Sequence, residues 1–292
     1  MVMEIFSINS TMTNIIFISL YWLKYLTKSF NERKNMKILF IGDVQGQSNI
    51  LKLRDIVPSM RSGEKVDLVI ANGENSADGN GITPHSANLL FTQGGVDVIT
   101  TGNHAFKRKE MDSTFDECAE LLRPANYGES CPGKGLHILD FGYCELAIVN
   151  LMGKSYMPAC DNPFGCIDVI LERLNTPNII VDFHAEATAE KKAMAYHLTG
   201  KVSAVLGTHT HVQTADEQII DLHTAYISDV GMVGAIDSVI GAGKEEAIKS
   251  FTGYYPQKYQ FASGKSEFNA VLLEIDTAQG KAKSIKRIKK TI

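Results

Sequence analysis

A layered α/β fold with mixed sheets is predicted by three features of the chain. Short β-branched runs alternate with amphipathic stretches from Met36 onward, which argues for strands and helices in alternation. Two later segments read as β-hairpins and so add antiparallel strands, which disfavours a plain Rossmann fold or a TIM barrel. No internal repeat, low-complexity tract or linker interrupts the pattern after residue 36. The length of 292 residues suits one large domain, and a composition 44% hydrophobic and 21% charged is enough to bury a full core.

The first 35 residues read differently. Ile15, Ile16, Phe17, Ile18, Leu20, Tyr21, Trp22, Leu23, Tyr25 and Leu26 form an apolar stretch. It is shorter than the roughly 20 residues that a bilayer span needs, and Lys24 interrupts it. A secretory signal places basic residues before its apolar run and small residues after it. Here Glu4 comes first, and Lys28, Arg33 and Lys34 come after. Residues 1–35 are therefore read as an N-terminal extension, from an upstream start codon or a dispensable segment, and not as a membrane anchor. The folded domain is expected over 36–292.

Candidate strands follow in order at Lys37–Ile41, Val66–Ala71, Val96–Thr100, Ile179–Val181, Val202–Leu206 and Ala225–Ile227. Their short length and β-branched content suit buried strands. Helices are expected around Asn49–Val57, His85–Gln93, Lys109–Leu122, Gly165–Leu174 and Thr188–Leu198. One hairpin joins Leu136–Leu139 to Glu145–Asn150 through Asp140-Phe-Gly142. The other joins Asn269–Ile275 to Ala282–Ile288, turning at Thr277–Gly280.

Charge and cysteine content narrow the function classes. A net charge of −4 gives no basic face for stable nucleic-acid binding, although a small phosphorylated substrate remains compatible with it. The five cysteines (Cys118, Cys131, Cys144, Cys160 and Cys166) form no C-x-x-C pair, and a chain of this length needs no disulfide staples. Small buried thiols in a reducing cytoplasm are the expectation.

The chemistry lies at the strand ends. Gly42-Asp43-Val-Gln-Gly46, Asn72-Gly73-Glu74-Asn75 and Gly102-Asn103-His104 follow the first three strands. Asp182-Phe-His184-Ala-Glu186 and Gly207-Thr-His209-Thr-His211 follow the next two. Taken singly, each has an ordinary explanation: Asp43 caps a helix, Glu74-Asn75 make a turn, and His184 is a core or surface histidine. His209-x-His211 is more specific, because alternate residues of an extended segment point the same way. Ligands gather at the carboxyl ends of strands in α/β sheets, and five successive ends bearing Asp, Glu, Asn and His point to one shared site. Oxygen and nitrogen donors suit Zn, Fe or Mn, and their number exceeds what one tetrahedral ion takes. Two ions sharing a carboxylate are expected. Adjacent glycines at 42, 46, 73, 102 and 207 allow tight turns and close approach of substrate.

These strings resemble the calcineurin-like metallophosphoesterases over residues 36 to about 290. Within that superfamily the chain looks like the bacterial YmdB-type branch. The marks are Gly73-Glu-Asn75, Asp182-Phe-His-Ala-Glu-Ala-Thr188, Gly207-Thr-His-Thr-His-Val-Gln-Thr-Ala-Asp216, Ile227-Ser-Asp-Val-Gly-Met232 and Asp237-Ser-Val-Ile-Gly241. The resemblance implies a four-layer α/β/β/α sandwich of two mixed sheets. It also implies a first metal held by Asp43, Glu74, Asn75 and His211, and a second by Glu74, Asn103, His184 and His209. Two departures stand out. The superfamily usually opens with Asp-x-His, where this chain has Gln45, and usually bridges its metals with Asp, where this chain has Glu74. Asn75 makes good the ligand that Gln45 does not supply. Iron is the implied metal, with manganese or zinc as substitutes.

The implied activity is hydrolysis of small phosphodiesters, with 2′,3′-cyclic nucleotides as the substrate class. A hydroxide shared by two metals would attack phosphorus, and His104 would protonate the leaving oxygen as general acid. Asp182 and Glu186 flank His184 and are candidates for orienting the imidazoles, with a turn and a helix cap as their plainer roles. The segment Asp229–Gly241 is a candidate pocket lining. Two rival functions fit the same residues: a dinuclear hydrolase acting on non-phosphate bonds, and a metal-bound nucleotide sensor that does not turn over. The resemblance also makes a homo-oligomer an expectation.

Overall fold

The near-continuous apolar run of the first strand makes sense once both of its faces are covered. The computed structural model describes residues 35–255 and 260–292. The predicted N-terminal extension lies outside the described residues except for Asn35, which opens β1 (Asn35–Ile41). Alternation along β1 sends Met36, Ile38 and Phe40 to one side and Leu39 and Ile41 to the other, and all five are 0% exposed.

The chain continues through β2 (Asp43–Val44), α1 (Gly46–Glu64), β3 (Leu68–Asn72), α2 (Pro84–Thr92), β4 (Val98–Thr100) and α3 (Met111–Glu117). The hairpin of β5 (Leu136–Asp140) and β6 (Glu145–Met152) comes next. It leads into α4 (Pro163–Leu171), β7 (Ile179–His184), α5 (Thr188–His197), β8 (Ala204–Thr208), β9 (Gln218–Ile220) and β10 (Thr224–Ile227). The last elements are β11 (Met232–Ala235), α6 (Lys244–Thr252) and the hairpin of β12 (Ser266–Asp276) with β13 (Lys281–Thr291).

These strands form a seven-stranded sheet in the order β2-β11-β12-β1-β3-β4, with β13 on β12, and a six-stranded sheet in the order β5-β6-β7-β8-β10-β9. Both are mixed: β1 is parallel to β3 but antiparallel to β12, and β6 is parallel to β7 but antiparallel to β5. Met36, Ile38 and Phe40 pack with Leu146, Ile148, Ile180, Leu206 and Ile227, so the two sheets face each other across one core. Leu39 and Ile41 instead join Ile50, Leu53 and Val57 of α1 and Leu90 of α2. On the far side, Val149, Val181 and Phe183 pack against Ile167 of α4 and Met194 and Ala195 of α5. The result is the expected four-layer α/β/β/α sandwich.

Local sequence explains the helix starts that matter. Thr83 accepts from the Ser86 N–H while the Ser86 hydroxyl accepts from the Thr83 N–H, and Pro84 opens α2 with its φ already suited to a helix. Asn162 caps α4 by accepting from the Phe164 N–H, again with proline next.

Three expectations are corrected. The helix expected over Lys109–Leu122 ends at Glu117, because Cys118 turns extended and Leu121 and Leu122 bridge to Ile99 and Lys134. Burial of both leucines at a sheet edge outweighs their helical spacing. The strand expected to stop at Val181 runs on to His184, so His184 is the last strand residue and not a loop residue. The elements β2, β9, β11 and α6 were not expected. The strands are too short to show a period, and α6 has no buried side chain to mark an inner face. Among the described residues, no helix is long and apolar enough to cross a membrane.

Close backbone packing at the strand ends sets one prediction. A Cβ at Gly207 would lie 1.9 Å from the Ser228 carbonyl oxygen, so β8 and β10 approach only because that atom is missing. Gly207→Ala is expected to destabilise the protein by about 3 kcal/mol, the upper end of overpacking costs, as read by urea unfolding. Unchanged stability would show that β10 can move away freely.

Candidate active site

Five strands deliver the chemistry to one place. Asp43 follows β1, Glu74 and Asn75 follow β3, and Asn103 and His104 follow β4, all from the first sheet. His184 ends β7, and His209 and His211 follow β8, both in the second sheet. The site therefore spans the carboxyl edges of both sheets. Asp43 and His184 are 0% exposed and Glu74 is 1% exposed, so charged and ionisable groups are held out of water.

His184 Nε2 is the centre of one group. It lies 2.9 Å from Asn103 Oδ1, 3.1 Å from His209 Nδ1 and 3.3 Å from Glu74 Oε1. One donor atom each from Glu74, His184 and His209 falls within 4.8 Å of the others, a spacing that fits one ion. The other side of the ring is fixed: Nδ1 is 2.9 Å from Thr208 Oγ1, and the Thr208 hydroxyl donates to Asp182 Oδ1 at 2.7 Å. With Nδ1–H donating to Thr208, Nε2 is the nitrogen turned to the centre, where it would give its lone pair to a cation on losing its proton. Asn72 Nδ2 donates to Asp182 Oδ2 at 3.2 Å. Asp182 thus reaches His184 through Thr208, while Glu186 Oε2 contacts His209 Nε2 directly at 3.0 Å.

A second group adjoins it. His211 Nε2 lies 3.8 Å from Asp43 Oδ1 and 3.4 Å from Asn75 Nδ2. His211 Nδ1–H donates to the Ile240 carbonyl oxygen at 2.9 Å, which leaves Nε2 facing the group. Gln45 occupies the expected ligand position but packs behind His211, its Nε2 2.6 Å from Nδ1 and donating to Ile240 O at 3.0 Å. Asn75 differs from its expected posture. It turns Nδ2 toward Glu74 Oε1 at 3.2 Å, while its Oδ1 accepts from His104 Nδ1 at 3.0 Å. A half-turn of the amide would present oxygen to the group instead.

His104 sits beside both groups. Its backbone N–H donates to Glu74 Oε2 at 3.0 Å, and its Nδ1 is 3.2 Å from Glu74 Oε1. The His104 side chain keeps 24% exposure.

The electrostatics follow from burial. Burial is the largest influence on Asp43 and raises its carboxyl well above the ordinary value; the His184 charge opposes, and Glu74 reinforces. Burial alone would raise Glu74 too, but the His184 charge and hydrogen bonds from His104 and His184 take it well below the ordinary value. Burial would lower His184, yet the charge and hydrogen bond of Glu74, then Asp43, push it up to about 9. Burial and the His184 charge push His209 down to about 3. Asp43 Oδ1 is buried with no hydrogen-bond partner among the described residues, and the nitrogens of His184 and His209 face each other across 3.1 Å. An orphaned carboxylate oxygen and converging nitrogen donors are what a cation would satisfy.

All the residues expected at the site are brought together. Missing from the expectation were Asn72 and Thr208, which act behind His184, and Lys191, which forms an ion pair at 2.8 Å beneath the His209–His211 segment with Asp229, a residue expected only as pocket lining. Thr208 lies inside the Gly207–His211 motif, so its position was a usable signal. Lys191 gave none, because a lysine on an amphipathic helix reads as solvated. The five cysteines are free thiols of intermediate burial and none belongs to the site.

The sandwich and its strand-end cluster define a metallophosphoesterase of the calcineurin-like type. The family model described as "YmdB-like protein" matches residues 39–288, and the chain belongs to that family. It is 43% identical over 255 residues to a Bacillus subtilis (strain 168) protein named 2′,3′-cyclic-nucleotide 2′-phosphodiesterase, covering 87% of this chain and 96% of the relative. A crystal structure of a hypothetical protein from Thermus thermophilus superposes with a TM-score of 0.82 at 39% identity, covering 88% of this chain and 99% of that one. A Mycoplasma pneumoniae structure described as a novel phosphatase gives a TM-score of 0.83 at 32% identity, with coverage of 88% and 94%.

The raised His184 and Asp43 values set the pH response of metal-free protein. A histidine raised from 6.5 to about 9 contributes stability that is complete below pH 6.5 and is lost as pH rises through 9. The raised Asp43 acts in the same sense over its own range. In EDTA, unfolding free energy should fall by on the order of 3 kcal/mol between pH 6.5 and 9, and His184→Gln should flatten the slope. A rise over that window would contradict the assignment.

Proposed function

We propose that this chain hydrolyses small phosphodiesters, with 2′,3′-cyclic nucleotides as the substrate class, at the cluster on the two sheet edges. The observation that carries the reading is the convergence of Glu74, His184 and His209 donor atoms beside the orphaned Asp43 Oδ1, with His104 bonded to the same glutamate. Two metal ions fit this donor set. Asp43, Glu74, Asn75 and His211 would hold one, Glu74, Asn103, His184 and His209 the other, and Glu74 would bridge them. When bound, the ions lower the pKa of water and neutralise charge on the phosphate oxygens. The family resemblance implies iron, and the oxygen and nitrogen donors would also accept manganese or zinc.

The protein's own groups divide the remaining work. Asp182, through Thr208, holds His184 in the tautomer with its Nε2 lone pair directed inward. Ile240 O does the same for His211, and Glu186 orients His209. Glu74 accepts from His104 Nδ1, which leaves the Nε2–H of this partly exposed ring to protonate the departing ribose oxygen as the phosphorus–oxygen bond breaks. Residues 36–292 would form the catalytic unit, a reading supported by the family match over 39–288. The free cysteines accord with a cytoplasmic protein.

The substrate panel that separates the rivals is short. Protein purified without chelator should contain iron, manganese or zinc and turn over 2′,3′-cyclic nucleotides and bis(p-nitrophenyl) phosphate but not amides. Stoichiometric binding of cyclic nucleotide with no turnover would establish the sensor instead. His104→Ala should lower kcat by about 10²–10⁴-fold at unchanged metal content. Full turnover in that variant would remove His104 from the mechanism.

A further inference from the structure

His209 and His211 both have backbone φ in the left-handed region, at 107° and 65°. Residues other than glycine hold such angles only where the surroundings over-determine them. Thr210 lies between them, and its N–H donates to Asp229 Oδ2 at 2.9 Å. The other oxygen of Asp229 accepts from the Gly231 N–H at 2.8 Å. Asp229 also grips the segment farther along: its N–H donates to Thr214 Oγ1 at 2.9 Å, and its carbonyl accepts from the Thr214 N–H at 3.1 Å. The path that carries both imidazoles is therefore tied to one side chain at the end of β10.

That carboxylate is 1% exposed, and its charge is met by Lys191, also 1% exposed, whose ammonium donates to Asp229 Oδ2 at 2.8 Å. The lysine reaches the pair from α5, with Cδ passing 3.1 Å from where a Gly207 Cβ would stand. A buried charge pair has a desolvation cost, and removal of one partner leaves an uncompensated charge. Without the ammonium, the carboxylate is left as an uncompensated buried charge, and its hold on Thr210 and Gly231 weakens. Lys191 is closed off from solvent and already bonded, so it is not placed to receive a substrate phosphate.

We propose that the buried Lys191–Asp229 pair is a positioning clamp that holds the His209-Thr210-His211 backbone in its strained path and thereby sets metal affinity at the two imidazoles. The inference rests on the reading of His209 and His211 as metal ligands. Lys191 and Asp229 are positioning residues acting through Thr210.

The test is Mn²⁺ affinity of the full-length chain, measured by competition with a fluorescent chelator. Lys191→Met should weaken binding by about 10–100-fold, the usual loss when a partner behind a ligand is removed. Lys191→Arg, which keeps the charge, should recover most of it. Ile167→Val, a loss of buried packing on α4, should bind as wild type does. Wild-type affinity in Lys191→Met overturns the clamp. Amide exchange of metal-free wild type decides the matter if Lys191→Met does not fold. Protection of the Thr210 N–H equal to that of β8 amides supports the clamp, and open-loop exchange overturns it. Failure of wild type to bind Mn²⁺ would overturn the metal-ligand reading and, with it, the affinity role of the clamp.

Discussion

Glu74 carries a carboxylate to a position that is almost closed to water, and the site is arranged around that charge. Its oxygens meet the His104 N–H, the His104 ring, the Asn75 amide and His184 Nε2. An ionised carboxylate in such surroundings persists only with strong partners, which is why it draws His184 toward the charged form while its own acidity increases. Asp43 has no equivalent set of donors, and burial instead favours its neutral form. The cluster therefore holds one satisfied and one unsatisfied carboxylate side by side. A cation resolves that imbalance.

The rest of the fold makes the approach of these groups possible. Strand ends from two sheets can converge only where backbones nearly touch, and missing side-chain atoms allow it. A Cβ at Gly42 would fall 2.0 Å from the Gly231 carbonyl oxygen, and one at Gly102 would fall 2.1 Å from the His184 ring. The inter-sheet core of Phe40, Ile70, Ile148, Ile180 and Leu206 fixes the distance between the sheets. Rigid apolar packing thus holds these polar groups at the convergence of the strand ends.

Much of this was legible in the chain. The β-branched runs located the principal strands, and the Asp, Glu, Asn and His residues behind them identified the cluster. What failed to show were the features decided by long-range partners. Leu121 and Leu122 have helical spacing but pair at a sheet edge. Gln45 was legible as a departure from the superfamily's ligand histidine, but not the place of its amide against His211 Nδ1 and the Ile240 carbonyl, whose residue is remote in sequence. The Asn75 amide is oriented by His104, an interaction no local pattern encodes.

By itself the sequence determined which donor and acid–base side chains gather at the strand ends, because donor type is a property of the side chain and strand-end position follows from local periodicity. Tertiary structure alone decided how those donors are presented. It chose the tautomers of His184 and His211 through Thr208 and Ile240, and it buried Lys191 against Asp229. It also set the left-handed backbone at His209 and His211. Each of these depends on contacts between segments far apart in the chain, and hydrogen-bond direction and burial exist only once those segments have met.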